Sequence, residues 1–519
     1  MSKAQTIKHV VLTGNDLTLD ELVAVSRFNA TVSISEEAVE EVKRSRKIVD
    51  EIVEEERVTY GINTGFGSLC NVSISKEDSV QLQENLIRTH ACGYGDPFST
   101  DIVRGIMVIR ANSLTKGYSG IRLEVIEKLI EMLNNHVHPI IPEKGSLGAS
   151  GDLAPLSHMV LPILGLGEAE YKGEVCDGKE AMTKAGIATM SLAAKEGLAL
   201  INGTQALTAT GALAVYDAIR LLKVSDVAGA LSIEVHNGII DAFKEALHVI
   251  RPQAGQVITA ENMRHLLEGS TFVTHQGELR VQDAYSLRCI PQIHGASKDA
   301  IRFVEDKVEI EINSVTDNPI ITRDKEAISG GNFHGQPMAL PFDFLGISVA
   351  EIANVSERRL ERLVNASHNR LSSFLVAKSG LNSGFMITQY AAAALVSENK
   401  ILAHPASVDS IPSCENQEDL VSMGTIAARK AKSINQNTSR VVATEVLAAC
   451  QAIDMRKAQD PSFKLGKGTQ AAYDVVRKHC GFLEEDKNIE MYKELDIITN
   501  LIMNDEFIDA VENVVSVNY

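Results

Sequence analysis

Between Val441 and Ala452 the chain reads VVATEVLAACQA, a stretch with almost no polar face. A helix that is apolar nearly all round must sit inside a bundle or an oligomer. Other segments make the same demand with one face. Ile126, Leu129, Ile130 and Leu133 recur at the i, i+3, i+4, i+7 spacing of a helix. Leu345, Val349, Ile352, Leu360 and Leu363 share one side of a longer segment, with Glu351, Arg358, Glu361 and Arg362 elsewhere. The N-terminal stretch differs. Val10-Val11-Leu12 reads as a strand, Thr18 and Glu21 form a capping box, and Ser35 before Glu36 and Glu37 marks a helix start. The expected fold is mainly α. A mixed α/β N-terminal region spans 1–200, and a large up-down helical bundle with a helical C-terminal region spans 201–519. At roughly 150 residues per domain, 519 residues would allow three or four units, yet no Pro- or Ser-rich linker separates any.

Composition excludes several functions. Hydrophobic residues are 45% of the chain, enough for a large core, so disorder is not its main state. A formal charge of -18 argues against a broad grip on phosphate backbones. The absence of Trp argues against base-stacking platforms. Seven cysteines, an odd number with no CxxC pair, give little support to a zinc cluster or a disulfide scaffold. The N-terminal run MSKAQTIKHVVLTG has no apolar signal core, and no uninterrupted apolar run approaches the ~20 residues that span a bilayer. A cytoplasmic protein is expected, and the sequon Asn71-Val72-Ser73 is then a chance match.

Glycine clusters at 59–67 (TYGINTGFG), 145–151 (GSLGASG), 165–167 and 329–335 (SGGNFHG) mark tight turns or close backbone approach. None fits a dinucleotide fingerprint or a phosphate loop, so a nucleotide site is not expected. The second cluster has chemistry of its own. In Ala149-Ser150-Gly151 the amide nitrogen of Gly151, unhindered by a Cβ, can approach the carbonyl carbon of Ala149. Attack there closes a five-membered ring. Loss of water from the ring and from the Ser150 side chain leaves a methylidene-imidazolone, an electrophile made wholly from the chain. A bare Ala-Ser-Gly tripeptide is far more often a turn.

Here the tripeptide is not bare. Residues 145–156 match Gly-x-x-Gly-Ala-Ser-Gly-Asp-Leu-Ala-Pro-Leu throughout. That segment resembles the signature of the aromatic amino acid ammonia-lyases, the family of histidine, phenylalanine and tyrosine ammonia-lyases. The resemblance runs from about residue 7 to residue 515. It recurs in 60–67 (YGINTGFG), 202–205 (NGTQ), 282–288 (QDAYSLR), 313–319 (NSVTDNP), 331–335 (GNFHG) and 380–386 (GLNSGFM).

The resemblance implies removal of ammonia from an α-amino acid. An amine is a poor leaving group and the β-hydrogen is weakly acidic, so an electrophile that captures the amine helps it leave. Ala149, Ser150 and Gly151 would supply that electrophile as 4-methylidene-imidazol-5-one, with no metal and no diffusible cofactor. Tyr60 is the candidate base, which requires neighbours that stabilise its phenolate. Arg288 suits the substrate carboxylate through two parallel bonds. Asn202 and Gln282 are implied donors to the imidazolone carbonyl or the substrate. Tyr285 is expected beside Arg288, and Phe333 as a pocket wall. Asp152 has two readings, orienting the electrophile loop or capping a helix.

Two positions bear on the substrate. Histidine-type members carry a small hydroxyl residue and then His where Thr89-His90 stands, although Ser is the usual hydroxyl. His90 can hydrogen-bond an imidazole. They also place Glu where Glu418 stands in Asn416-Gln417-Glu418-Asp419, whereas the phenylalanine type has Gln. Leu420 departs from the His of many histidine-type members, which affects details around Glu418. The implied reaction is conversion of L-histidine to trans-urocanate, with His90, Asn202, Arg288 and Glu418 binding substrate and Glu418 also acting in catalysis. A tyrosine or phenylalanine lyase, an aminomutase of the same family and a silent helical scaffold are the alternatives. The resemblance also implies a homotetramer with shared sites. Tyr60, Arg288 and Glu418 are far apart in sequence, so the chain supplying each is open. His294, His334 and His404 lack metal-ligand spacing.

Mass spectrometry of the intact chain separates an enzyme from a scaffold. The wild-type chain should be lighter than its translated mass by two waters. Ser150→Ala should lose the methylidene and nearly all turnover; full activity in that variant would refute the assignment of Ser150.

Overall fold

A computed structural model describes residues 3–75 and 78–519; Met1 and Ser2, which open the N-terminal run read above, lie outside that range. The N-terminal part mixes strands and helices. Strand β1 (His9–Leu12) leads into α1 (Leu19–Phe28) and then β2 (Thr31–Ile34), which pairs with β1 in parallel with Val10 opposite Val32. Thr18 and Glu21 form the full capping box of α1, and the Ser35 hydroxyl accepts the Ala38 N–H at the start of α2 (Glu36–Glu54). Next come α3 (Ser79–His90), α4 (Thr100–Thr115), α5 (Leu123–Asn134) and α6 (Leu153–Val160). Ile126, Leu129, Ile130 and Leu133 are buried along α5, as their spacing predicts.

Five further helices build the bundle: α7 (Gln205–Val235), α8 (Ile290–Glu311), α9 (Gln336–Val364), α10 (Met386–Leu402) and α11 (Gly424–Gln459). Their directions can be read from cross-contacts. Late in α8, Glu311 accepts from Thr204 at the head of α7, while His294 early in α8 meets Asp226 late in α7. Early in α10, Gln389 donates to Glu357 late in α9, and Asn399 late in α10 donates to Thr438 in the first half of α11. Arg359 in α9 pairs with Glu445 in α11. Successive helices therefore alternate up and down, and α7, α9 and α11 run the same way with their N-termini at one end.

The apolar run forecast from sequence lies at the centre. Every residue from Val441 to Ile453 is buried in α11. Its polar members are paired within the protein. Glu445 accepts from Arg359 at 2.6 and 2.9 Å, from Ser232 at 2.7 Å and from Ser356 at 2.6 Å. Gln451 donates to the carbonyls of Leu375 and Leu483. A buried charge needs such complete pairing to be tolerated. Although the chain has no long unbroken apolar run, α9 is long and apolar enough to cross a membrane by length and composition, and 67% of its apolar window is buried inside this protein. Leu340, Phe344 and Ile347 on α9 and Ile387, Tyr390 and Ile401 on α10 remain exposed in the single chain.

At the opposite end of the bundle His236 follows α7, buried beside Arg362, Arg280 and Arg456. Burial first, then those cations, pushes its pKa down to about 3. The unfolded imidazole takes its proton near pH ~6.5, so the unfolded state binds the proton first as pH falls. Stability from this group is present above that pH and is lost as pH drops toward the folded value. Urea midpoints should therefore fall from about pH 7 to about pH 4. His236→Gln should flatten part of that slope, and an unchanged slope would assign it to other groups.

Candidate active site

The loop from Gly145 to Asp152 lies where α6, α7 and α11 begin. Two glycines are required there by shape. Gly148 and Gly151 both hold φ +72°, and a Cβ at Gly151 would stand 2.1 Å from the Gly203 carbonyl oxygen, one at Gly148 2.2 Å from Ser422 Oγ. The loop is thus pressed between two lead-in segments. On one side the Asp152 N–H donates to the Gly203 carbonyl at 2.7 Å; on the other the Met423 N–H donates to the Leu147 carbonyl at 3.2 Å.

Asp152 resolves its two readings in an unforeseen way. It stands at the N-cap position of α6 but makes no side-chain cap there. Its carboxylate instead accepts the Leu207 N–H of α7 at 2.8 Å, the Ser146 hydroxyl at 2.7 Å and the Thr425 hydroxyl of α11. It therefore caps a different helix and orients the loop together. Complete burial pushes its pKa up, while Thr425, Leu207 and Ser146 pull the other way.

Beside the loop is a cavity of about 270 Å³ lined by Thr89, His90, Ser150, Gly151, Ser413 and Glu418 among others. Ser150 Oγ donates to Glu418 Oε1 at 2.9 Å, and Ser413 Oγ donates to Glu418 Oε2 at 3.0 Å. Thr89 and His90 close the last turn of α3. Thr89 Oγ1 gives its single proton to the Asn85 carbonyl at 2.9 Å, so toward His90 Nδ1, 3.1 Å away, it accepts. His90 then carries its proton on Nδ1 and leaves Nε2 as an acceptor. Burial lowers the His90 pKa against smaller raising effects of Leu86 and Glu418, which keeps the ring neutral.

Tyr60 lies close enough to Glu418 to feel its charge. The described residues of one chain do not favour the phenolate. Burial raises the Tyr60 pKa, opposed by the Gly67 N–H at 3.5 Å and reinforced by Cys70, Glu418 and Cys414. These are the leading influences among the described residues. Asn202 is buried beside Gly203, and its Oδ1 has no partner among the described residues.

Six predicted residues do not line this cavity: Tyr60, Asn202, Gln282, Tyr285, Arg288 and Phe333. Gln282, Tyr285 and Arg288 precede α8, whose first residue Ile290 packs against Gly229 of α7. Gly229 lies about 36 Å along α7 from Gln205, by helix rise. There Arg288 stacks on Tyr285 at 4.8 Å, and Tyr285 is 70% exposed. Phe333 is half-buried on the loop before α9, whose His334 ring meets the Leu420 carbonyl at 3.2 Å, and it does not line the cavity. The other singled-out histidines have local partners: His294 has Asp226, and His404 has the Pro405 carbonyl. Ser413, Ser146, Thr425 and the fully buried Arg110, which donates to the Asn202 carbonyl at 2.8 Å, escaped the sequence reading. Ser146 lies inside the recognised 145–156 segment, and Ser413 and Thr425 stand a few residues to either side of Asn416-Gln417-Glu418-Asp419. No periodicity distinguishes a serine that bonds a carboxylate from one that faces water.

The chain resembles known proteins over nearly its whole length. The family described as aromatic amino acid lyase matches residues 17–478. A histidine ammonia-lyase of Clostridium tetani is 70% identical over 515 residues, covering 99% of this chain and 100% of the relative. The crystal structure of histidine ammonia-lyase from Trypanosoma cruzi superposes with a TM-score of 0.90 at 41% identity, over 98% of this chain and 96% of that one. Tyrosine aminomutase from Streptomyces globisporus superposes with a TM-score of 0.93 at 36% identity, over 98% and 99%.

Asp152→Ala would leave two hydroxyls and a helix N–H without their acceptor. Chemical denaturation should show a loss of about 3 kcal/mol or more, and Asp152→Asn should lose less. Equal stability of wild type and Asp152→Ala would show that the carboxylate does not hold the loop.

Proposed function

Because the chain belongs to the aromatic amino acid lyase family, we propose that it is a carbon–nitrogen lyase that eliminates ammonia from L-histidine and releases trans-urocanate. The observation that carries the choice of substrate is the meeting of His90 and Glu418 in one cavity with Ser150. A phenyl ring offers no donor to those acceptors, and a site built to hydrogen-bond a substrate group rejects analogues lacking it; a phenol brings a single O–H at its tip, whereas an imidazole carries its N–H in the ring.

The electrophile of this proposal is the methylidene-imidazolone of Ala149, Ser150 and Gly151. The surrounding residues suit it: Gly151 has no room for a Cβ, and the buried Asn202 beside Gly203 carries a carboxamide whose NH2 can donate to the imidazolone carbonyl. Once formed, that group supplies an acceptor for the amine and makes it a better leaving group. The chain's other residues bind substrate and move protons. His90 Nε2 accepts an imidazole N–H, and Glu418 Oε1 faces the same ring. Asn202 Oδ1 takes an N–H of the substrate amine. Tyr60 removes the β-proton.

Arg288, with Gln282 and Tyr285, binds the carboxylate from a second copy of the chain, and Phe333 walls the pocket in the same assembly. Three observations support this sharing. Arg288 and Tyr285 stand at the far end of the bundle from Ser150, Tyr285 is exposed, and apolar side chains on α9 and α10 are uncovered. A cation arriving beside Tyr60 would also lower its pKa toward working range. The assembly is a homotetramer in this proposal. Seven free thiols suit a reducing, cytoplasmic setting.

Glu418→Gln should lower histidine turnover by about a hundredfold or more, followed as the absorbance of the conjugated acid. His90→Leu should raise KM for histidine and improve relative use of aryl amino acids. Unchanged histidine kinetics in both variants would remove the case for this substrate. Stoichiometric ammonia release separates a lyase from an aminomutase.

A further inference from the structure

We propose that Ser413 is a positioning residue for Glu418, fixing which carboxylate oxygen meets the substrate imidazole; this rests on the imidazole-binding role of Glu418 given above. Glu418 closes a short hairpin. Its N–H donates to the Ser413 carbonyl at 3.3 Å, and the Ser413 N–H donates to the Glu418 carbonyl at 3.0 Å. At the tip Cys414, Glu415 and Asn416 hold φ of +50°, +56° and +65°. Residues with a Cβ take this conformation at a cost, and a run of them persists only where the surroundings over-determine it. Those surroundings include the Tyr60 loop. Cys414 Sγ accepts the Ser68 N–H at 3.3 Å, and a Cβ on Gly67 would stand 2.5 Å from that sulfur. The hairpin thus ties Glu418 to the segment that carries the base.

Within this frame the two carboxylate oxygens differ. Oε1 holds the Ser150 hydroxyl, and Oε2 holds the Ser413 hydroxyl. Conversion of Ser150 to its methylidene form removes the first hydroxyl and leaves Oε1 open to the cavity. Ser413 then remains the side-chain donor to Glu418 among the described residues. The terminal torsion of a glutamate is broad and roughly two-fold, so an unheld carboxylate turns freely. A charge-assisted bond at Oε2 stops that rotation and presents Oε1 to the ring held by His90.

The test uses the assembled, mature enzyme and two unsaturated acids that differ in their ring, trans-urocanate and trans-cinnamate, as competitive inhibitors. Ser413→Ala should weaken urocanate inhibition about tenfold and leave cinnamate inhibition within about twofold, the scale of one bond to a charged group. Ser413→Thr should restore urocanate binding, and Ser413→Cys, near serine in size but a weak donor, should behave as the alanine variant. Intact mass should still show the loss of two waters in each. Equal weakening of both inhibitors, or none of either, would overturn the proposal. Glu418→Gln is measured alongside. If it too leaves urocanate binding intact, the role of Glu418 itself is wrong; if it weakens binding while Ser413→Ala does not, only the role of Ser413 falls.

Discussion

A carboxylate with no access to water holds the candidate site together. Asp152 takes its donors from the loop itself, from the first turn of α7 and from the first turn of α11. Burying that carboxylate opposes its charge, and the raised pKa records the cost. The donors offset it, and two of them come from helix N-termini, where partial positive charge gathers. Because one side chain makes all these bonds, the loop cannot move without disturbing the start of two long helices.

That arrangement follows from the alternation of the bundle. Helices joined in sequence run in opposite directions, so every second helix points the same way. The heads of α7, α9 and α11 consequently gather at one end, next to the loop. The same alternation sends the segment before α8 to the other end, with Arg288 and Tyr285. A rigid bundle cannot bring its two ends together, so in the proposed reaction Arg288 would serve the site of another copy.

The cavity is chemically one-sided. Neutral His90 presents an acceptor and Glu418 presents another, while outside its lining Tyr60 is held toward its protonated form by burial and nearby acidic groups. Such a site favours a ligand rich in N–H donors. In the proposed reaction, positive charge placed beside Tyr60 would bring it closer to acting as a base.

Much was legible without coordinates. The α11 core, the periodic face of α5, the capping box at Thr18 and the 145–156 loop follow from spacing and side-chain type, which act locally and leave a pattern in the chain. Thr89-His90 and Glu418 stood out through short motifs. Tertiary structure alone decided the rest. Asp152 was visible, yet the helix it caps lies 55 residues away in sequence. Ser413 and Thr425 look like any polar residue until folding sets them against a carboxylate. Gln282, Tyr285 and Arg288 belong to the same motif set as Tyr60, but helix direction and length set them apart from it. Local pattern encodes which residues bury and which turn; which of them meet depends on how long rigid helices are threaded past one another.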